Sequence, residues 1–190
     1  MTIGIYGGSF DPIHSGHAIV ANFISQCNIV DEVWLMVAKK NPLKPHSTFA
    51  SEKHRLEMAK LVAKDGFKIK ASDLELSLSY PSYTYDTLVE LKRINPDHQF
   101  KLIIGSDSLN NFNNWRNCEK ILKEFGVIVY PRPGSPLKGE EPEGMTFLTG
   151  APEVSLSSSL IREYIASGWN INYFVPIAVS QYITENKLYL

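Results

Sequence analysis

The sequence predicts a doubly wound α/β fold, with a parallel sheet of five or six strands and helices on both faces. Short, nearly continuous apolar runs alternate along the chain with segments of helical periodicity, and such runs are typical of strands buried on both faces of a parallel sheet. Several of the runs lead at once into turns that contain Gly, Ser, His or Lys. Polar turns at strand ends are typical of a Rossmann-like domain.

The first strand and the first helix enclose a turn rich in glycine. Residues 3–6 alternate like a strand, and residues 18–24 carry apolar side chains at helical spacing. Between them lie residues 7–17, here called the glycine turn, whose free N–H groups at the helix start would form an anion site. A second apolar run, residues 32–38, completes a βαβ unit.

A loop rich in proline and lysine, residues 39–46, follows the second strand. It leaves the same sheet edge that carries the glycine turn. One of its three lysines, best Lys44, is therefore a candidate for contacting a phosphate. The alternatives are Lys39 or Lys40 in that role, or a solvated basic loop with no ligand.

The next segment reads as a helix followed by a strand. Ser51 is expected to cap a helix that runs to Lys64, and Gly66 ends it. Residues 67–71 alternate as a strand does, and we expect that strand to continue toward residues 74–76.

A further helix and strand lead to a second polar turn. Ser82 or Thr84 is expected to cap a helix over residues 85–94. The fourth strand, residues 100–104, runs directly into the small polar residues 105–108. Open α/β sheets bind ligands at such strand ends.

Residues 109–115 are polar apart from their aromatic side chains and predict a short helix or loop near the mouth of the site. Trp115 either anchors the core or offers its face to a planar ligand. A helix over residues 117–125 and a fifth buried strand over residues 127–130 follow. Residues 135–144, rich in Gly, Pro and acidic side chains, predict a surface loop.

The last part of the chain is mainly helical. A short strand over residues 145–148 precedes residues 155–162, here called the serine helix start, which combine an N-cap run with the first helical turn. Plain capping is the simplest interpretation of these serines. Gly168 is expected to end that helix, and a final helix covers residues 176–186.

Composition favours one globular domain, residues 1–190, with a C-terminal helical part of about residues 155–190 packed on it. The 19 Lys and Arg residues barely balance 20 Asp and Glu residues, so no nucleic acid is expected as a partner. Nothing resembles a signal or a membrane span, which leads us to expect a cytoplasmic protein. The two cysteines form no CxxC pair, which disfavours a disulfide framework. The sequence leaves open whether the chain forms a homo-oligomer.

His14 and His17 flank Gly16, and their i, i+3 spacing places both rings on one side of the helix start. As hydrogen-bond donors they would stabilise the negative charge that gathers on a nucleotide's α-phosphate when it is attacked. A zinc site would need a third ligand, such as His46 or His54, in no known zinc spacing. The chain lacks GxGxxG after the first strand and GxxxxGK[ST] anywhere, which disfavours a nicotinamide dehydrogenase or a P-loop kinase.

Two of these segments resemble the two motifs of one superfamily. Residues 8–17, GSFDPIHSGH, resemble the [ST]FDPxHxGH motif of the HIGH-type nucleotidyltransferases. Residues 157–162, SSSLIR, resemble their second motif, ISSTxIR. Leu156 and Ser159 stand where Ile and Thr are usual, and Ser159 keeps the hydroxyl.

Within the superfamily, the chain is most similar to the bacterial nicotinate-nucleotide adenylyltransferases. Residues 81–88 resemble their SYTxxTL segment. Residues 104–109 with Trp115 resemble their IGxDxLxxxxxW segment, and residues 132–134 also have a counterpart. The resemblance covers essentially the whole chain.

This resemblance implies adenylyl transfer from ATP to nicotinate mononucleotide, with deamido-NAD and pyrophosphate as products and Mg²⁺ on the phosphates of ATP. The acceptor's phosphate attacks the α-phosphorus in line, so positioning and charge neutralisation supply the catalysis. One alternative is a related adenylyltransferase acting on nicotinamide mononucleotide or phosphopantetheine. A non-catalytic nucleotide-binding protein is another.

The resemblance also implies roles for individual residues. The catalytic residues would be His14, His17 and Arg162. The ATP-binding residues would be Gly8, Ser9, Phe10, Gly16, Lys44, Gly105, Asp107, Arg132, Ser157 and Ser158. Trp115 would stack on the pyridine ring, and Thr84 with the backbone N–H of Tyr85 would receive its carboxylate. No protein metal ligand is implied, because magnesium arrives with ATP.

Overall fold

The computed structural model describes residues 1–39, 50–78 and 82–190. These residues form one parallel sheet of six strands in the order β3-β2-β1-β4-β5-β6. The strands are β1 (Thr2–Gly8), β2 (Glu32–Val37), β3 (Ile69–Ser72), β4 (Gln99–Gly105), β5 (Val127–Tyr130) and β6 (Met145–Phe147). The first strand is central and the order reverses beside it, which confirms the predicted doubly wound sheet.

Helices cover both faces of this sheet. The described helices are α1 (Ser15–Gln26), α2 (Glu52–Asp65), α3 (Leu74–Ser77), α4 (Thr84–Ile94), α5 (Leu109–Phe112), α6 (Cys118–Glu124), α7 (Ser158–Ala166) and α8 (Ile177–Glu185). On one face, α1, α2, α7 and α8 contribute buried side chains to a single apolar cluster. On the other face, α4, α5 and α6 contribute to a second cluster. None of the described helices has both the length and the apolar character needed to cross a membrane.

The central position of β1 determines where the glycine turn lies. Gly8 is paired with Val37 of β2, and Tyr6 is paired with Ile103 of β4. Because the strands are parallel, the turn after β1 emerges between the carboxyl ends of two neighbours. The turn is therefore flanked on one side by the residues that follow β2 and on the other by the residues that follow β4.

Residues 74–76 do not continue the third strand, so that prediction is wrong. The strand β3 ends at Ser72 and the residues form the short helix α3. Leu74 packs against one of the two core clusters and Leu76 against the other. One helical turn at the edge of the sheet therefore packs both leucines against the core. An alternation over only three residues does not distinguish a strand from such a turn.

Two of the predicted helix ends are confirmed, and a third is wrong. Ser51 caps α2, where its hydroxyl accepts from the N–H of His54 at 3.3 Å. Gly168, with φ +73°, follows α7 as expected. The N-cap of α4 is Tyr83 rather than Ser82 or Thr84. The Ser82 hydroxyl instead donates to Glu75 on α3, so a tertiary contact outcompetes local capping.

Candidate active site

The glycine turn is built around a buried phenylalanine. Phe10 has a left-handed backbone, φ +48°, and is only 1% exposed. Its ring meets the ring of Tyr6 edge to face at 5.9 Å and that of His17 at 5.1 Å. The peptide between Asp11 and Pro12 is cis. These contacts order the backbone between β1 and α1 and hold the His17 ring against the core.

The two histidines of the turn are in direct contact. Their rings stack with centroids 3.7 Å apart, and the backbone N–H of His14 donates to Nδ1 of His17 at 3.2 Å. Since Nδ1 accepts, a neutral His17 carries its proton on Nε2, which is left as a donor. Gly16 permits this packing, because a Cβ there would lie 3.0 Å from Nδ1 of His14.

The side chains of His14 and His17 form a reciprocal capping box at the start of α1. The His14 side chain faces the backbone N–H of His17, and the His17 side chain accepts from the backbone N–H of His14. The buried Nδ1 of His14 makes no hydrogen bond of normal geometry with a described residue, so its side of the box is the weaker one. The box fixes the two rings relative to the first turn of the helix.

Both histidines are uncharged at neutral pH. Burial lowers the pKa of His14 to about 4, with the Arg132 charge acting in the same direction. Burial also holds the pKa of His17 well below its usual range, assisted by the charges of His14 and Arg132. Both rings are therefore available as neutral hydrogen-bonding groups rather than as imidazolium cations.

These low pKa values predict acid sensitivity. A histidine whose folded pKa lies below its unfolded value is neutral in both states at high pH. Below about pH 6.5 the unfolded state takes up the proton first, so stability falls toward pH 4. For His14 the loss is on the order of 3 kcal/mol. Urea unfolding at pH 7.5 and pH 4.5 should show a smaller drop for His14→Gln than for the wild type. Equal drops would contradict the assignment.

The serine helix start contacts the glycine turn directly. Ser157 caps α7, its hydroxyl accepting from the N–H of Leu160 at 3.2 Å. The hydroxyl of Ser158 donates to the carbonyl of Pro12 at 2.9 Å. The guanidinium of Arg162 donates to the carbonyl of Asp11 at 2.6 Å. The fold thus unites two segments that lie at opposite ends of the sequence.

An open cleft of about 450 Å³ lies beside these contacts. It is lined by the serine helix start and by Asp107 and Arg132, which follow β4 and β5. Nε of Arg132 lies 3.6 Å from Oδ2 of Asp107. Gly105 permits this pairing, since a Cβ there would lie 2.5 Å from Oδ1 of Asp107. Three of the predicted ATP-binding residues therefore meet at the strand ends.

The predicted acceptor residues lie at the start of α4 and in the asparagine-rich segment. Thr84 is the first residue of α4 and is half-buried. The hydroxyl of Tyr85 donates to Glu124 at 3.0 Å, so its backbone N–H is the group left for a ligand. Trp115 is half-buried and packs against Phe112, with ring centroids 5.4 Å apart. It is thus only partly a core residue.

Arg116 joins the start of α4 to the asparagine-rich segment, and no sequence pattern indicated this contact. Its guanidinium lies 4.7 Å from the ring centroid of Tyr83 and 3.5 Å from Oδ2 of Asp86. Both partners belong to the start of α4. The contact places the residue after Trp115 beside the residues that flank Thr84.

Arg55 is a second residue beside the glycine turn that no sequence motif indicated. It is 4% exposed, and its NH1 donates to the carbonyls of Ser9 and Ala38, both at 2.7 Å. Arg55 thereby ties the glycine turn to the end of β2. A signal did exist, because Arg55 shares the i, i+3, i+7 face of α2 with the buried Met58 and Val62. The hydroxyl pair of Tyr6 and Tyr130, 3.0 Å apart beneath the turn, had no such signal.

Several predicted residues lie elsewhere. Lys44, Lys40 and His46 fall outside the described residues. Lys39 is described, and its Nζ donates to the carbonyl of Leu78. Nδ1 of His54 lies 2.9 Å from the Tyr182 hydroxyl on α8. Across the described ranges, no group of three or more His, Cys, Asp or Glu side chains could hold a metal ion.

Comparison with known proteins found relatives that are similar over the whole length of this chain. Residues 5–164 match the family described as cytidylyltransferase-like. The chain is 41% identical over 196 residues to a Flavobacterium johnsoniae protein named "Probable nicotinate-nucleotide adenylyltransferase", with 100% of this chain and 99% of that protein covered. It is 39% identical over 189 residues to a Cytophaga hutchinsonii protein of the same name, with 100% and 98% covered.

A solved structure is similar over almost the whole chain. It is that of Plasmodium falciparum nicotinic acid mononucleotide adenylyltransferase complexed with NaAD, with a TM-score of 0.79 and 26% identity. The similarity covers 99% of this chain and 97% of that one. The shared architecture therefore includes the sheet edge on which the cleft lies.

Proposed function

The chain belongs to the cytidylyltransferase-like family and, within it, to the nicotinate-nucleotide adenylyltransferases, and on that premise we propose that it transfers the adenylyl group of ATP to nicotinate mononucleotide. The products are deamido-NAD and pyrophosphate. The observation that carries the proposal is the direct contact between the two motifs, through Ser158 to Pro12 and Arg162 to Asp11. That contact forms one phosphate site from two helix starts.

The reaction needs no protein nucleophile. A phosphate oxygen of the mononucleotide attacks the α-phosphorus of ATP, and the bond from that phosphorus to the bridging oxygen of pyrophosphate breaks in line. The protein's task is to hold the two nucleotides and to neutralise the charge that gathers on the transferring group. Neutral histidines with fixed donors fulfil the second requirement without a proton transfer.

His17 is the donor that we assign to the α-phosphate. Its Nδ1 already accepts from the N–H of His14, which fixes the ring and leaves the proton on Nε2. His14 supports this ring, because the two side chains form a reciprocal capping box at the start of α1. Stacking of the two rings at 3.7 Å keeps both groups on one side of the helix start.

The serine helix start is assigned to the β- and γ-phosphates. The N-terminus of α7 presents backbone N–H groups and a positive dipole end, and Ser157 and Arg162 add a hydroxyl and a guanidinium. Gly105, Asp107 and Arg132 are assigned to the adenosine, with Asp107, which is exposed, accepting from a ribose hydroxyl. The open volume of about 450 Å³ between these sets accommodates a nucleotide.

Magnesium fits this donor set as a partner of ATP. The side chains that line the cleft supply serine hydroxyls, the Arg132 guanidinium and the separate carboxylates of Asp107 and Glu163. No group of three or more His, Cys, Asp or Glu side chains among the described residues could hold the ion on its own. Magnesium usually keeps several waters and binds through substrate phosphates. Bound in that way, it supplies positive charge to the phosphates, while this chain's donors orient them.

The start of α4 supports the acid rather than the amide as acceptor. No described side chain caps α4, so the N–H groups of its first turn are open to an anion. With the Thr84 hydroxyl they form a set of donors, which suits a carboxylate, whereas a carboxamide also needs an acceptor. We expect Thr84→Val to lower kcat/KM for nicotinate mononucleotide about tenfold and to reduce its preference over nicotinamide mononucleotide.

The test measures pyrophosphate release from ATP with nicotinate mononucleotide, nicotinamide mononucleotide and phosphopantetheine in parallel. Thr87→Val removes a hydroxyl from the buried side of the same helix and should leave the preference unchanged. Equal efficiency of the wild type with the acid and the amide would remove the case for discrimination at Thr84. Turnover of phosphopantetheine alone would favour the sister enzyme, and no release with any acceptor would favour a non-catalytic nucleotide-binding protein.

A further inference from the structure

The Asp11 side chain in the glycine turn is buried and held from outside the turn. It is 1% exposed, and its Oδ1 accepts from the Tyr189 hydroxyl at 2.6 Å and from the N–H of Ala50 at 3.0 Å. No described residue hydrogen-bonds to Oδ2. A buried carboxylate needs its donors to offset lost hydration. The Tyr189 hydroxyl is the nearer of the two and is therefore a main support of this side chain.

Tyr189 is set in place by packing rather than by local structure. It lies 178 positions after Asp11 in the sequence, beyond the end of α8, and is 8% exposed within the apolar cluster that contains α1, α7 and α8. Its backbone is left-handed, with φ +66°. A well-packed aromatic ring delivers its hydroxyl to a fixed point, so the position of the hydroxyl follows from the core.

We propose that Tyr189 is a positioning residue for adenylyl transfer, holding the glycine turn through Asp11 so that His14, His17 and Arg162 keep their places. The inference rests on the proposed function. Asp11 is joined to the site on both sides, because its carbonyl accepts from Arg162 at 2.6 Å and the ring of its neighbour Phe10 meets His17 at 5.1 Å. Displacement of Asp11 is therefore transmitted to both catalytic groups.

Removal of the Tyr189 hydroxyl leaves the Asp11 carboxylate with one described hydrogen-bond donor, the N–H of Ala50. The carboxylate must then change its position or its protonation. It can reorient toward water, which moves the turn, or it can take up a proton. The groups that face Asp11 are Tyr189, Arg162 and Arg55, with the N–H of Ala50. Burial raises the pKa of Asp11, and the hydrogen bond from Tyr189 opposes that rise. Without the hydroxyl, protonation of Asp11 begins at a higher pH.

The experiment compares Tyr189→Phe with Tyr182→Phe. Each change removes one phenol oxygen and keeps the ring, and Tyr182 donates to or accepts from His54 on α2, away from the turn. We measure kcat, KM for each nucleotide, the pH profile of kcat/KM and the melting temperature. Tyr189→Phe is expected to lower kcat about tenfold, with smaller changes in KM, and to move the acid limb of the profile to higher pH. Tyr182→Phe should stay within about twofold of the wild type.

A readout without substrate separates this inference from the proposed function. Amide hydrogen exchange of residues 8–11 should be faster in Tyr189→Phe and unchanged in Tyr182→Phe. If the wild type fails to use nicotinate mononucleotide while this exchange difference holds, the function is wrong and the anchor stands. Unchanged exchange, coincident acid limbs, or equal losses of kcat in the two variants would each overturn the positioning role.

Discussion

His17→Ala is expected to lower kcat by a hundredfold or more while the protein stays folded. Removal of one donor to a developing oxyanion typically has an effect of this size. The His17 ring stacks on His14 at 3.7 Å, and its Nδ1 is occupied by the N–H of His14, so Nε2 is the one proton the ring can give. Because the loss concerns the transition state, KM for ATP should change less than kcat. Steady-state pyrophosphate release measures both constants.

Two further variants make this result specific. His17→Gln keeps an N–H donor on a side chain of similar reach and should recover part of the lost turnover. His54→Ala removes a histidine bonded to Tyr182, outside the cleft, and should keep kcat within about twofold. Near-normal turnover of His17→Ala, with a melting curve like that of the wild type, would sink the catalytic role.

Most of the sheet could be predicted from the sequence, because β1, β2, β4 and β5 contain apolar runs with a helix or turn on either side. The run of β5, for example, is buried at all four residues, as is typical of a strand inside a parallel sheet. The predictions that were wrong rested on sequence patterns of only two or three residues. Residues 74–76 alternate, and yet form α3, and the hydroxyl of Ser82 prefers Glu75 to the start of α4. Both outcomes are set by tertiary contacts that no local pattern encodes.

The candidate site shows the same contrast between residues that a local pattern indicates and residues that only tertiary contacts place. The catalytic roles of His14, His17 and Arg162 stay predictions. As candidates, His14 and His17 were predictable from the residue types of the glycine turn, and Arg162 was predictable from the resemblance of residues 157–162 to a family motif. The residues that hold these segments were not. The contacts of Arg55 with Ser9, and of Tyr189 with Asp11, join chain positions 46 and 178 apart. Such pairings follow from the packed core. The sequence places Arg55 on the buried face of α2, but it does not identify the partners of Arg55 or of Tyr189.

Arg162→Ala is expected to lower kcat/KM for ATP about a hundredfold or more. The side chain of Arg162 donates through NH1 to the carbonyl of Asp11 at 2.6 Å and through NH2 to the Ser159 hydroxyl at 3.1 Å. It therefore joins the two helix starts and brings a guanidinium to the phosphate site. Loss of a hydrogen-bonded charge at such a site typically costs about 2–5 kcal/mol. Initial rates at varied ATP measure the effect.

The shape of the guanidinium predicts how a lysine behaves in its place. Arg162→Lys keeps the charge, but a point-like ammonium cannot span Asp11 and Ser159 as a planar fork does, so about a tenfold loss should remain. Arg93→Ala removes an exposed guanidinium paired with Glu90 on α4 and serves as the matched control, with unchanged kinetics expected. Because Arg162 is assigned to ATP, its variants should leave KM for the mononucleotide nearly constant. A rise in that constant equal to the loss for ATP would move the residue to the acceptor side of the site.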